Sequence, residues 1–357
     1  MRGRYFFYIA QQYAKNLLMM LVAITGTVTL VDYLHDAARL SGAGNQTILY
    51  LFYTWQFRLA QFYPLAIAFA AIVTYMSLVR ANLFVSLYGF GYTKRQLLIP
   101  FVLPAWILYL LMLLLQSGEF AYAKERAWAI AHHVQSVRVA EDLFFKYNDA
   151  FVYVKHLDPI RKVLSEVTVF ETNGTDVVNA VILERALFDG EYWVADDALM
   201  MRKRYNAQHH LQGFTREHTG RYRFLKGYRP KVIELIYEGD SLSLLDALHT
   251  YSVLEKQGLD TVKIKASLYS RAVLPLFALA MMMILFLKSS YHSRYMNPER
   301  VWLLYLGGTL SVWGILYALY SLSSGGVLSA EIAIVLPVLL LLGYAFSLYV
   351  RAREKLA

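Results

Sequence analysis

Six apolar, nearly uncharged runs punctuate the chain, at residues 17–31, 62–79, 97–118, 272–287, 301–326 and 332–350. Each is close to the ~18 residues that cross a bilayer core, or is extendable to it. The fourth is the shortest. It reaches spanning length by continuing upstream through Leu268, with the Arg271 guanidinium snorkelling to the interface. The first follows a basic start, MRGRYFF, as a signal peptide does. It is too long for a typical cleaved apolar region, and five more spans follow, so it is expected to be retained.

Between the third and fourth runs the period changes. FVYV (151–154), VLSEVTVFE (163–171), NAVILERALF (179–188) and EYWVADDALMM (191–201) are rich in β-branched and aromatic residues. Asp189-Gly190 is a strong hairpin signal, and Asn173-Gly174 is a second turn candidate. The spacing predicts an antiparallel sandwich or open barrel, followed by a basic stretch over 202–231. A helix over 241–258 comes next, with Ser243 and Asp246 resembling a capping box and Gly258 at its stop. The expected architecture is an α-helical polytopic membrane protein with six transmembrane helices and an inserted all-β domain. Helices one to three occupy 1–118, the β-domain 119–265 and helices four to six 266–357.

Composition agrees with a membrane chain. Of 357 residues, 57% are hydrophobic and 17% charged, and the mean hydropathy is +0.38. Tyr (28) and Phe (20) are abundant, as at membrane interfaces. The net charge of +9 fits cytoplasmic loops and anionic headgroups better than nucleic acid. With no cysteine, neither a disulfide scaffold nor a thiolate metal site can form. Arg2, Arg4 and Lys15, then Arg80, Lys94 and Arg95, then Lys288, Arg294 and Arg300, then Arg351, Arg353 and Lys355 all fall on one side of six spans. By the positive-inside rule that side is cytoplasmic, so both termini are inside and the β-domain is outside.

The loop VRANLFVSLYGFGYTKRQLLIP (79–100) is basic, and residues 80–96 hold no acid. Its charges alone serve as a topology signal. Asn82 to Tyr88 also reads as a short amphipathic helix that Gly89 and Gly91 can end. Such a helix, lying across two membrane helices, is a handle for a cytoplasmic partner.

Catalytic motifs are missing. There is no G-x-x-x-x-G-K-[ST], no H-E-x-x-H and no G-x-S-x-G. His132-His133 and His209-His210 are adjacent pairs, and neighbours in a helix or strand do not face one metal. Asn45-Gln-Thr47 and Asn173-Gly-Thr175 match a glycosylation pattern too common to decide anything. One polar constellation remains. Asp32, His35, Asp36 and Arg39 are spaced i, i+3, i+4 and i+7 at the end of span one, a small-residue loop follows over 40–44, and Arg58 precedes span two. It is either a helix end emerging into water or a polar rim where an anionic amphiphile enters a cavity.

In this arrangement the chain resembles the LptF/LptG permeases of lipopolysaccharide export, over its whole length as architecture. LVDYLHDAARLSGAG (30–44) looks like the end of the first helix of LptG. ANLFVSLYGFGYTKRQLLIP (81–100) looks like the family's coupling-helix segment. SGEF (117–120) resembles the Gly-Glu close of the third helix, and Pro275 sits where the family has a proline early in the fourth. The first stretch leans toward LptG. Two departures stand out: Leu83 occupies a position where the family commonly carries Glu, and Ala123 replaces a proline after Gly-Glu.

The resemblance implies one half of a heterodimeric ABC permease in the bacterial inner membrane, its inserted domain a periplasmic, all-β, jellyroll-like one, with no catalytic residue and no bound cofactor of its own. ATP and Mg would be used by a partner LptB-type ATPase dimer. Asn82, Leu83, Phe84, Leu87, Tyr88 and Gly91 would form the coupling segment, with Glu299 as another source of an acidic contact. Spans one and five, with Trp302 and Trp313 on the latter, would form the lateral gates. Arg39, Arg58 and Arg271 would meet the phosphates of lipopolysaccharide beside Asp32, His35 and Asp36. The implied partners are an LptF-like second chain and the jellyroll proteins LptC and LptA. Two other readings stay open: an ABC subunit for another amphiphile, and a membrane receptor whose outer β-domain binds ligand.

Overall fold

The computed structural model describes residues 2–40, 44–132, 140–147, 150–158, 161–173, 176–205, 211–230, 233, 242–256, 261–289 and 297–354. Residues 41–43 of the glycine loop, the turn at 174–175, His133, His209-His210, the stop at Gly258, the basic-loop residues 290–296 and Lys355 lie outside the described residues. The chain divides into two compact units, Met1–Lys124 with Val262–Ala357, and Glu125–Thr261.

In the first unit, α1 is Arg2–Asp36 and α2 is Gly44–Arg80, followed by the short α3, Leu83–Gly89, and by α4, Lys94–Gln116. A 3-10 turn at Glu119–Tyr122 leads into α5, Ala123–Ala131, most of which belongs to the second unit. The alanine that replaces the family proline therefore opens a helix, and it is buried.

The fourth span is broken. Val262–Ala272 (α7) and Leu276–Lys288 (α8) meet at 40°. Pro275 at the break cannot donate an amide to the preceding helix. The 13 residues of α8 rise only about 20 Å, short of a ~30 Å core, so α7 completes the crossing. Tyr109 of α4 donates to the carbonyl of Ala272, the last residue of α7, at 2.6 Å. That bond satisfies a group which the break exposes.

The last two spans are α9, Pro298–Ser324, and α10, Leu336–Glu354, the latter entered through a π-turn at Glu331–Val335. Among the described residues, five helices are long and apolar enough to cross a membrane, or six with the bent pair as one. Of these, α2 is the most buried, and α1, α9 and α10 are the least. Its core side chains include Tyr63, Ala66, Ile67, Ala70 and Ala71. Many are small, which lets neighbouring backbones come close.

Among the described residues, the second unit is built on one antiparallel sheet. Its strands are β1 Ala140–Tyr147, β2 Ala150–Asp158, β3 Val163–Asn173, β4 Asp176–Phe188, β5 Trp193–Ala195, β6 Ala198–Tyr205, β7 Leu211–Thr219 and β8 Tyr222–Phe224. The order is β1-β2-β3-β4-β5-β8, with β6 beside β4 and β7 beside β6. Alternation sends Val152, Val154, Val167, Val169, Val181 and Leu183 into one core. The sheet rolls. Phe145 and Tyr147 of β1 meet the Tyr228 ring just beyond β8, and the Lys226 amide donates to the Tyr147 hydroxyl at 2.9 Å.

Two expectations change here. The run 191–201 is not one strand: it breaks at Asp196-Asp197, sending β5 to β8 and β6 to β7. The basic stretch after it contains β7 and β8. The Asp189-Gly190 hairpin forms, as a loop over 189–192 closed by the Phe188–Trp193 pair. Asp189 Oδ1 accepts from the amides of Glu191 and Tyr192 at 3.1 and 2.8 Å. These bonds hold its carboxyl below the usual range. Helix α6, Leu244–Lys256, also follows the reading, with Ser243 Oγ accepting from the Asp246 amide at 3.1 Å.

Candidate functional site

The polar stripe sorts into two pairs. Helix α1 ends at Asp36, and a turn carries Arg39, so the four residues do not continue along one helix. Asp32 receives a bidentate Arg58 from α2, with Nη2 to Oδ1 at 2.8 Å, while Arg58 Nη1 donates to Gln61 at 2.7 Å. Arg58 lies inside α2, which begins well before the expected span. Asp36 accepts from the Tyr50 hydroxyl at 2.8 Å and lies 3.4 Å from Arg39. His35 is exposed. Arg271 sits in the last turn of α7.

Two carboxylates and two guanidiniums sum to no net charge at this junction. A phosphate arriving at Arg58 must therefore displace the Asp32 carboxylate, which fork geometry holds in place.

The second group of residues lies at the other end of α2. Arg58 and Arg80 are 22 positions apart on one helix, about 33 Å, the thickness of a bilayer core. Asn82 adopts the left-handed region (φ 52) and turns the chain out of α2 into α3, a conformation asparagine tolerates. Gly91 (φ 81) closes α3: the Gly91 amide donates to Tyr88 and the Tyr92 amide to Leu87, at 2.9 and 3.1 Å. Only a residue without Cβ takes that cap without strain. The helix runs one residue later than the expected 82–88.

Phe84 and Leu87 are buried, and Leu83 and Tyr88 pack partly against the same core. The Phe84 ring stands 5.2 Å from Tyr75 of α2 and 5.5 Å from Phe286 of α8. Outward, α3 shows Asn82, Val85 and Ser86, with Phe90 beyond its end 80% exposed. The apolar half of α3 is an anchor and the other half is a surface.

The expected gate faces are apolar and open. Leu18, Val22, Leu30 and Leu34 of α1 are exposed, as are Trp302, Leu303 and Ile315 of α9. Trp313 differs: it is half-buried, with its ring 5.8 Å from Phe62 of α2. A cleft of about 570 Å3 runs between α1 and α4, lined by residues such as Leu17, Leu18, Leu21, Pro104 and Ile107.

Sequence reading missed Tyr50 and Gln61, which complete the junction. It also missed where Lys94 and Arg95 go. Lys94 Nζ donates to the carbonyls of Leu287 and Ser289, both at 3.2 Å. Arg95 donates to the carbonyls of Tyr349 and Val350 and lies 4.3 Å over the Tyr349 ring. One signal was available: Thr93-x-x-Gln96 is a capping-box pattern, and both of its bonds are present, at 3.3 and 3.0 Å.

The family model described as lipopolysaccharide export system permease LptF/LptG matches residues 7–351, nearly the whole chain. That description covers LptF and LptG together. Comparison with individual curated proteins gives no match.

Proposed function

The chain belongs to the LptF/LptG family of lipopolysaccharide export permeases, and from that premise we propose that it is one half of an ABC permease driven through α3. A second six-span chain completes the permease. An ATPase subunit of the LptB type docks on the face carrying α3, on the cytoplasmic side, where Arg80 and the basic loops lie. It consumes the ATP and Mg that this chain does not handle. Closure of the ATPase dimer shifts α3, and the membrane helices narrow a cavity that holds lipopolysaccharide. Acyl chains lie against the apolar faces of α1, α2 and α9. Phosphates meet Arg58, Arg39 and Arg271 at the opposite, periplasmic end, by exchange with Asp32 and Asp36. The rolled sheet receives the lipid on that side, and its edge strands β1 and β7 offer backbone groups for strand addition by an LptC- or LptA-like jellyroll.

The observation that carries this reading is the family match over residues 7–351, joined to a short helix anchored by Phe84 between two spans. Purification of the tagged chain in mild detergent, with mass spectrometry of what stays bound, tests it. A soluble P-loop ATPase and a second six-span chain, at two ATPase copies per permease pair, are expected. Elution alone or as a homodimer contradicts the proposal.

A further inference from the structure

Residues 92–95 reach three different helices within four positions. The Tyr92 ring lies 4.3 Å from Tyr5 at the start of α1. Lys94 bonds the carbonyl of Leu287 in the last turn of α8 and that of Ser289 just past it. Arg95 forks onto the carbonyls of Tyr349 and Val350 near the end of α10 and covers the Tyr349 ring.

The last carbonyls of a helix have no partner within it and carry the negative end of its dipole. Lys94 thus acts on α8 as a cationic cap supplied by another helix, while Arg95 reaches α10 one turn before its end at Glu354 and adds a second donor to the carbonyls of Tyr349 and Val350. Their own positions are fixed: the Thr93–Gln96 box locks the first turn of α4, and Gly91 closes α3 only three residues upstream of Lys94. On the α3 side, Phe84 touches Tyr75 and Phe286, and Phe286 touches Phe101 of α4.

From this geometry we infer that Lys94 and Arg95 are positioning residues that pass displacement of α3 to the ends of α8 and α10. The inference rests on the proposed docking of an ATPase at α3. It differs from the topology reading of the same charges in one respect. A topology signal needs only a positive charge, whereas the Arg95 contact needs a planar fork and a face that stacks on an aromatic ring.

Arg95→Lys therefore separates the two. The purified complex, reconstituted in liposomes containing lipopolysaccharide, is assayed for lipid released per ATP hydrolysed. Arg95→Lys is expected to lower that ratio about tenfold, the scale of a lost charge-assisted bond, while ATPase content and ATP hydrolysis stay at wild-type level. Lys94→Met, with insertion orientation checked, is expected to do the same. An unchanged ratio in both variants overturns the inference, and so does a loss of ATPase content that matches the loss of release. Failure of the underlying reading shows elsewhere, because the unmodified chain would then bring no ATPase through purification.

Discussion

Asp32 and Arg58 stand 26 residues apart and share a fork-shaped ion pair that is about three-quarters shielded from solvent. Its charges cancel, so the residue that looks built to bind phosphate is occupied. Asp32→Asn weakens that hold without removing the side chain, and it is expected to tighten binding of lipopolysaccharide by roughly threefold to tenfold. Arg58→Ala should weaken binding by a similar factor. Titration of the purified complex with labelled lipopolysaccharide measures both, and equal affinities in the two variants would remove Arg58 from the site. The helical spacing i, i+3, i+4 exposed Asp32 and Asp36 as a stripe in the sequence. It could not reveal Arg58 as the partner of one and Tyr50 as the partner of the other, because those contacts are set by the packing of α1 on α2. Lys94 and Arg95 were legible as charges for the same reason that their targets were not: backbone carbonyls leave no mark in a sequence.

At the scale of elements, the helices followed hydropathy closely, and the departures have physical causes. Helix α2 starts earlier than its apolar run because residues 48–57 are themselves mostly apolar or aromatic and Arg58, which interrupts them, is satisfied by Asp32 and Gln61. Strand β6 carries the expected run 191–201 on into its basic flank, and β7 is not legible in the sequence, because ALMMRKRY and LQGFTREHT do not alternate cleanly. As an edge strand β7 carries charge, which keeps an open edge from pairing indiscriminately. The short helix α3 was visible from its glycine stop and its apolar face. Phe84 is fully buried at the centre of that face, so Phe84→Ala should cost about 3–5 kcal/mol and loosen α3 from α2 and α8. Thermal unfolding in detergent should register the loss, and less ATPase should remain on the purified chain. Val85→Ala, on the exposed side, should leave thermal stability nearly unchanged. Equal behaviour of the two variants would mean that α3 is not anchored through Phe84.

For the whole molecule, six apolar crossings with one break at Pro275, a rolled antiparallel sheet inserted between the third and fourth, and a family match from residue 7 to 351 converge on lipopolysaccharide export. The polar junction and α3 sit at opposite ends of one long helix, so the proposed mechanism separates substrate handling from energy input by about the thickness of a membrane. Order and length of the elements were enough to suggest the family. Their spacing could not supply the bonds through which one end would act on the other. Release of lipopolysaccharide from liposomes containing the purified complex, followed with and without ATP, tests that account most directly. ATP-dependent release that stops when α3 is detached by Phe84→Ala is the predicted result. ATP hydrolysis with no lipopolysaccharide leaving the membrane would contradict it.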